Sequence, residues 1–294
     1  MNSRLKETLI RIISALIALP VYFFAIITDA LYSLPILFVS VLITLVCLYE
    51  FYLIAEHAGA KPFKAVGMIT AVVLNILMYL YGYGKVLGFN AFWGMNFRYI
   101  IFIITIFVII ICILQLFKRS IQGGLFTISV TLLGLALIVI PFAHIILMKS
   151  LRDGIFYIML LNIAVILNDV AAYFGGVFFG KHKINFPVSP NKSWEGYCFA
   201  LFFCVLSTVI VSQFCLIFYG RNLFSLPEAV IAGILISLSA AIGDLVESAA
   251  KRDGGIKDSG SIVPGHGGMW DVFDAMIFTT PLLYYYIVFC KDIH

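Results

Sequence analysis

An all-α, polytopic membrane protein is the fold class that this sequence predicts. Of its 294 residues, 63% are hydrophobic and only 12% are charged, whereas a soluble domain carries about 25% charged residues. The mean hydropathy is +1.08. Because lipid offers no hydrogen-bond partners to backbone polar groups, the long apolar runs of the chain are expected to be helices. The composition leaves no stretch that resembles a separate soluble domain.

About nine apolar segments are long enough, or nearly so, to cross a bilayer, which takes roughly 17–25 residues. We expect them near residues 12–28, 34–55, 65–82, 98–117, 124–147, 155–178, 197–219, 229–248 and 272–290. No small-residue cleavage site follows the first segment, so we interpret it as a transmembrane helix rather than a signal peptide. Residues 1–150 would hold about five N-terminal helices and residues 151–294 a catalytic region of about four, together forming one folding unit.

The placement of lysine and arginine predicts the orientation of the chain. With the N-terminus in the cytoplasm, thirteen basic residues lie on the cytoplasmic side and six on the other. The excess favours this orientation, with an external C-terminus and a cytoplasmic loop at 249–271. The net charge of +4 is small, and no nucleic-acid partner is expected.

Charged residues are concentrated between residues 243 and 274. One helix face is shared, by their spacing, by Asp244, Glu247 or Ser248, and Lys251. Two glycines at 254–255 are expected to end that helix. The glycines after Pro264 allow backbone N–H groups to approach a ligand closely. Asp271 and Asp274 then open the last apolar run. The pattern predicts carboxylates on two helix ends, joined by a basic, glycine-rich loop.

Such an arrangement suits a phosphate-bearing substrate held by a hard cation. Carboxylates bind Mg²⁺, while lysine, arginine and backbone N–H groups neutralise and hold phosphate oxygens. The competing interpretation is a solvated loop between two membrane helices. That interpretation is disfavoured because a solvated loop does not require carboxylates at the ends of both flanking helices.

A second group of polar residues precedes this stretch. Asp169 interrupts an apolar run at a cost of about 2.5–3.5 kcal/mol on insertion scales, so it should face protein or a polar cavity. Tyr173, Gly176 and Gly180 lie on the same helical stripe, which also suits helix packing. The basic loop 181–196 that follows could bind phosphate or anionic lipid headgroups.

Two further carboxylates, Glu50 and Glu56, lie near the predicted inner end of the second apolar segment. They could serve a function, but the favoured interpretation is a snorkelling or interfacial carboxylate at each position.

Three blocks of this chain resemble the motifs of the phosphatidate cytidylyltransferases, also called CDP-diacylglycerol synthases. The longest block runs from Ser248-x-x-Lys251-Arg252 through Lys257-Asp258 and Pro264-x-His266-Gly267-Gly268 to Asp271-x-x-Asp274. The segment from Asp169 to Lys181 and the element Ser189-Pro190-x-Lys192-Ser193-x-Glu195-Gly196 are similar to upstream motifs of the family. The resemblance covers about the last 125 residues, and the first 150 match only in hydropathy. Val272 stands where the family usually has arginine.

The resemblance implies an integral enzyme of the cell (inner) membrane that faces the cytoplasm and joins CTP and phosphatidate into CDP-diacylglycerol and pyrophosphate. It implies Mg²⁺ as cofactor and leaves room for a second cation such as K⁺, for contacts with membrane lipid and for a homodimer. Metal ligands would be Asp244, Asp271 and Asp274. Catalytic residues would be Lys251, Arg252, Lys257, Asp258 and His266. Substrate-binding residues would be Asp169, Tyr173, Lys181, Ser189, Lys192, Ser193, Glu195, Ser248, Gly267 and Gly268.

Two other functions stay open at this point. A related CTP-dependent lipid kinase, acting on a polyprenol-type alcohol, is supported by Val272. An ion-coupled transporter could use Asp169 and Asp244 to line an ion path, but the long motif makes it the less favoured of the two.

Overall fold

The computed structural model describes residues 20–84, 87, 97–263 and 267–291. All regular elements in these ranges are helices, and the extended backbone is limited to isolated bridges. Within the same ranges, eight helices are long and apolar enough to cross a membrane. The predicted fold class, an all-α polytopic membrane protein, is therefore confirmed. The segment predicted near 12–28 lies largely outside the described residues, although residues 20–27 are helical.

The helices begin and end close to the predicted limits. They are α1 (Ala30–His57), α2 (Lys64–Tyr83), α3 (Phe97–Lys118), α4 (Gly124–Gly134), α5 (Ile140–Ser150), α6 (Gly154–Phe179), α7 (Trp194–Tyr219), α8 (Leu226–Asp253), α9 (Met269–Phe273) and α10 (Met276–Lys291). A π-helical turn, Leu135–Val139, joins α4 to α5. The end of α8 at Asp253 agrees with the break predicted at the glycines 254–255. One feature differs from expectation: the last span is interrupted between α9 and α10.

The chain divides into two compact units. The first comprises Met1–Ser150 and Ala250–Phe273, and the second comprises Leu151–Ala249 and Asp274–His294. One boundary of this division follows Ser150. The segment 250–273, which we had placed with the C-terminal region, belongs to the first unit.

The core of the first unit is built around large aromatic side chains on α1. Tyr52 is fully buried and its hydroxyl donates a hydrogen bond to the Thr131 carbonyl at 3.1 Å. Gly134 gives that ring room, because a Cβ there would lie 2.8 Å from it. Trp270 of α9 is also fully buried and packs edge-on against Phe51, with ring centroids 5.5 Å apart. These contacts anchor α9 within the first unit.

The second unit is held by close packing of α6, α7 and α8. A Cβ at Gly196 would lie 2.9 Å from the Ala172 carbonyl, and one at Gly233 would lie 2.6 Å from the Val205 Cα. Small residues at such crossings let helix backbones approach each other. The hydroxyl of Thr208 adds a hydrogen bond from α7 to the Ala229 carbonyl of α8, 2.8 Å long.

Candidate functional site

A cavity of about 690 Å³ lies within the second unit. Its walls come from α6, α7, α8, the loop before α7 and the start of the last span. Six of the predicted site residues line it: Asp169, Tyr173, Lys192, Ser193, Asp244 and Asp274. The structure therefore brings together residues that are as far as 105 positions apart in the sequence.

Three carboxylates, those of Asp244, Glu247 and Asp274, form a cluster in this unit. Each offers an oxygen within 4.8 Å of the others. Asp244 and Glu247 lie one turn apart inside α8, so Asp244 does not end its helix as we had expected. Asp274 reaches them because Gly243 has no side chain: a Cβ there would lie 2.5 Å from the Asp274 carbonyl oxygen. Glu247 was missing from the predicted metal ligands, although its spacing from Asp244 indicated a shared face.

The donor set of this cluster fits a hard divalent cation. Three carboxylates held this closely repel one another unless positive charge lies between them. Mg²⁺ prefers oxygen ligands and typically takes one or two carboxylates together with water and phosphate oxygens. Asp244, Glu247 and Asp274 offer such ligands and leave further coordination positions to a phosphate-bearing substrate.

Lys192 supplies positive charge beside the cluster. Its ammonium group forms a hydrogen-bonded ion pair with the Asp244 carboxylate and lies 5.7 Å from the centre of the Tyr197 ring. Burial alone would lower the pKa of Lys192, but the neighbouring Asp244 carboxylate outweighs it and raises the pKa above its usual value. The ammonium group therefore stays protonated at neutral pH and can pair with phosphate.

The loop before α7 folds back on itself and so positions Lys192. The Ile184 N–H donates to the Lys192 carbonyl at 2.9 Å. Ser193 caps α7 by accepting a hydrogen bond from the Gly196 N–H at 3.2 Å. Glu195 accepts hydrogen bonds from the backbone N–H and the ring Nδ1 of His182. Ser193 and Glu195, predicted to bind substrate, thus also hold the loop in shape.

Two other predicted residues of this loop, Lys181 and Ser189, do not line the cavity. Lys181 is exposed, and the Ser189 N–H donates to the Phe186 carbonyl at 3.0 Å. Their assignment to substrate binding stays a prediction.

Asp169 faces the cavity from α6, as the cost of burying it in lipid had predicted. Its Oδ1 accepts a hydrogen bond from the Asn168 side chain at 3.2 Å. The Asn168 amide oxygen in turn accepts one from Ser237 of α8 at 2.7 Å. Tyr173, one turn further along α6, lines the same cavity and is 66% exposed. The helical stripe of the sequence is therefore one wall of the cavity.

Asp271 belongs to the first unit, where the structure groups it with Lys251. The Lys251 ammonium donates to Asp271 Oδ1 at 2.7 Å. Asp271 Oδ2 accepts hydrogen bonds from the backbone N–H groups of Ser259, at 2.9 Å, and Gly268, at 2.7 Å. Asp274, three positions later in the sequence, belongs to the second unit. The metal role of Asp271 stays a prediction.

The remaining predicted residues of the long motif have varied surroundings. Arg252, Lys257 and Asp258 are exposed, and Ser248 is half-buried on α8. Gly267 has φ +97°, a backbone conformation that favours glycine. His266 lies outside the described residues.

The interfacial position predicted for Glu50 is wrong. Its residue is only 1% exposed, and its carboxylate accepts hydrogen bonds from Met269 N–H, Trp270 N–H and the Ser259 hydroxyl. Glu56, by contrast, is exposed and pairs with Lys64 at 2.6 Å. The sequence around Glu50 contains no signal of these partners, because they lie more than 200 residues away in the chain.

Comparison with known proteins finds cytidylyltransferases among the relatives of this chain. The sequence profile of the Cytidylyltransferase family matches residues 9–290. An uncharacterised Escherichia coli (strain K12) protein, YnbB, is 32% identical over 209 residues, which are 69% of this chain and 67% of that protein. The phosphatidate cytidylyltransferase of Staphylococcus saprophyticus is 40% identical over 152 residues, or 52% of this chain and 56% of the relative.

A plant relative shows a similar level of identity. Phosphatidate cytidylyltransferase 4, chloroplastic, from Arabidopsis thaliana is 42% identical over 123 residues, which are 42% of this chain and 30% of the relative. The match with the bacterial enzyme thus spans about half of its length, 56%, and the match with the plant enzyme spans less than a third.

Proposed function

Because the chain belongs to the cytidylyltransferase family, we propose that it transfers the cytidylyl group of CTP to phosphatidate in phospholipid biosynthesis. A phosphate oxygen of phosphatidate attacks the α-phosphorus of CTP, the bond from that phosphorus to the bridging oxygen breaks, and pyrophosphate leaves. The products are CDP-diacylglycerol and pyrophosphate. The observation that carries the proposal is the cavity of the second unit, which combines Lys192 with Asp244 and Asp274, two of the three clustered carboxylates.

Charge placement is what this reaction requires of the protein. The attacking phosphate is already an anion, so positioning and neutralisation matter more than proton abstraction. Lys192 would pair with a phosphate oxygen of CTP when the nucleotide displaces it from Asp244. Asp244, Glu247 and Asp274 would hold Mg²⁺, which when bound supplies positive charge to the phosphates. Lys251, Arg252 and Lys257 remain predicted phosphate contacts of the first unit.

The walls of the cavity suit a substrate with one polar and one apolar end. Lys192, Asp244 and Asp274 provide the polar part of the lining, while Ala172 and Val177 are among its apolar residues. A volume of about 690 Å³ is within the range of roughly 300–1,000 Å³ that small-molecule sites occupy. We assign the polar part to the phosphates and the apolar part to the lipid.

The cellular setting follows from the charge distribution of the sequence. The chain is a multi-pass membrane protein, and we propose the cell (inner) membrane as its location. The excess of lysine and arginine on one side supports a site that opens to the cytoplasm, where CTP is present.

Product analysis tests this function directly. Purified protein would be incubated with labelled CTP, phosphatidate and Mg²⁺, and we expect labelled CDP-diacylglycerol together with pyrophosphate. A phosphorylated lipid and CDP would instead identify a lipid kinase. Ion flux in proteoliposomes without CTP turnover would identify a transporter. Either of these results would overturn the proposal.

Val272 can be examined in the same assay. It is 46% exposed on α9, so an arginine there would not have to fit into the core. Activity of the unaltered protein on phosphatidate would show that this arginine is dispensable for the reaction.

A further inference from the structure

Glu50 of α1 joins the two ends of the glycine-rich loop in the first unit. Its Oε1 accepts a hydrogen bond from the Met269 N–H at 2.9 Å, and its Oε2 accepts one from the Trp270 N–H at 2.8 Å. The Ser259 hydroxyl, near the other end of the loop, donates to Oε2 at 3.3 Å. One buried side chain therefore holds both the beginning of α9 and a residue ten positions before it.

Asp271 also accepts hydrogen bonds from this loop. It accepts hydrogen bonds from the N–H groups of Ser259 and Gly268 and pairs with Lys251. Ser259 thus donates its N–H to Asp271 and its hydroxyl to Glu50. We call Glu50 and Asp271 together the carboxylate clasp.

The clasp explains why two glycines occur in this loop. A Cβ at Gly260 would lie 2.5 Å from Glu50 Oε1, and a Cβ at Gly268 would lie 2.7 Å from both Glu50 oxygens. Contacts this short are closer than van der Waals separation, so any side chain would push the carboxylate away. At these two positions the absence of a side chain makes room for Glu50.

We infer that Glu50 is a positioning residue, which acts through the backbone of residues 268–270 to hold Asp271 and its partner Lys251 in place for CTP. The clasp itself rests on the hydrogen bonds, and its effect on CTP rests on the proposed function. Glu50 lies in the part of the chain whose sequence matched the family motifs only in hydropathy. A residue outside the family motifs, Glu50, therefore helps to hold motif residues in place.

The first test compares Glu50→Gln with Glu56→Gln in the purified full-length protein. Glutamine keeps the size of Glu50 but turns one acceptor oxygen into an NH₂ donor, so at least one of the three hydrogen bonds is lost. We expect the KM for CTP to rise about tenfold or more, because small displacements of binding groups are costly. Glu56→Gln, on the same helix but exposed, should leave this KM unchanged. A lower apparent kcat with an unchanged KM in Glu50→Gln would indicate lost folded protein and would overturn the inference.

The second test does not depend on catalysis. Glutamine keeps only one acceptor oxygen, so amide hydrogen exchange of Met269 or Trp270, whichever loses its acceptor, should become about tenfold faster or more in Glu50→Gln. Exchange in Glu56→Gln should match the unaltered protein. Unchanged exchange in Glu50→Gln would contradict the clasp. If the unaltered protein turns over no CTP at all, the proposed function fails while the exchange measurement still decides the clasp.

A second variant covers the case in which Glu50→Gln does not accumulate in the membrane. Gly260→Ala leaves every donor and acceptor intact but places a methyl group against Glu50 Oε1. It should raise the KM for CTP and speed the same amide exchange. Wild-type values for both measurements in Gly260→Ala would contradict the inference.

Discussion

Among the single residues, the clustered carboxylates are the proposed ligands of the metal ion. Asp244, Glu247 and Asp274 lie close enough to share one cation, and Lys192 pairs with the first of them. Asp271, which the sequence placed in the same set, belongs to the first unit, where it accepts hydrogen bonds from Lys251 and two backbone N–H groups. Its metal role stays a prediction.

Removing one charge from the cluster should abolish most activity. We expect Asp244→Asn, Glu247→Gln and Asp274→Asn each to lower Mg²⁺-dependent CTP turnover by about 10²-fold or more, a loss comparable to that of one strong electrostatic contact in other enzymes. Each substitution keeps the size of the side chain but removes the charge that Mg²⁺ requires. The measurement is kcat/KM as a function of Mg²⁺ concentration.

Asp253→Asn is the matched control for these variants. Asp253 is exposed at the last residue of α8, and its substitution should change turnover little. If the cluster variants keep wild-type turnover and metal dependence while Asp253→Asn loses both, the proposed metal site is misplaced.

Lys192→Met should weaken the use of CTP. Methionine keeps an unbranched apolar side chain but cannot pair with phosphate, and it leaves Asp244 without its cation. We expect kcat/KM for CTP to fall about tenfold or more, the size of a charge-assisted hydrogen bond of roughly 1.5–3 kcal/mol. Steady-state kinetics at saturating phosphatidate measures this. Lys183→Met is the comparison from the same loop: Lys183 also lines the cavity, but its ammonium group donates to the Asn191 carbonyl at 3.0 Å. A wild-type kcat/KM in Lys192→Met would leave Lys192 with only a structural role.

Among the helices, the contact of α8 with the chain at Asp274 brings the three carboxylates together. The helix break after α9 gives Asp274 its own backbone direction, and Gly243 lets its carbonyl approach α8. The loop before α7 positions Lys192 through the hydrogen bond from the Ile184 N–H to the Lys192 carbonyl and through the Ser193 cap. Close backbone packing at Gly243 therefore positions Asp274, and the hydrogen bonds of the loop position Lys192.

Gly243→Ala should separate Asp274 from Asp244. The added methyl group would lie 2.5 Å from the Asp274 carbonyl oxygen, so the backbone must shift. We expect Mg²⁺-dependent turnover to fall about tenfold or more, since small displacements of reacting groups are costly, and the Mg²⁺ concentration for half-maximal activity to rise.

Gly233→Ala is the comparison on the same helix. It crowds the Val205 Cα at 2.6 Å, so it should destabilise the protein by about 1–3 kcal/mol, the usual cost of overpacking. Its Mg²⁺ dependence should stay normal. If Gly243→Ala only lowers the thermal stability and leaves the Mg²⁺ dependence unchanged, the glycine serves packing and not the cluster.

At the scale of the whole molecule, hydropathy and charge predict the path of the chain through the membrane. Eight spans are described, and the segment near 12–28 would make a ninth. An odd number of spans places the two termini on opposite sides. The excess of lysine and arginine on one side predicts that the N-terminus lies in the cytoplasm.

Reporter fusions test this topology. A reporter fused to the C-terminus should be active outside the cytoplasm, and one inserted within 254–260 should be active inside it. The charge bias that sets the orientation acts during membrane insertion, so it does not depend on catalysis. A cytoplasmic C-terminal reporter would mean that the number of spans differs from nine by one.

Local sequence patterns predict the helical fold, most helix limits and the family. These patterns are the length of an apolar run, a cap or glycine at its end, and a motif of fixed spacing. Asp244, Asp274 and Lys192 were predicted as site residues because each lies in such a motif. Asp169 was predicted because a charge in an apolar run has few tolerable locations.

Which charged groups lie in contact depends on the tertiary structure and could not be predicted from local sequence patterns. Glu247 joins the cluster through the crossing of α8 with the chain at Asp274, and Glu50 meets Met269 across 219 residues of sequence. No local pattern distinguishes Glu50, a buried acceptor, from Glu56, an exposed partner of Lys64. Their difference arises because hydrogen bonds and ion pairs form between groups that packing brings within about 3 Å, and separation along the chain does not determine that distance.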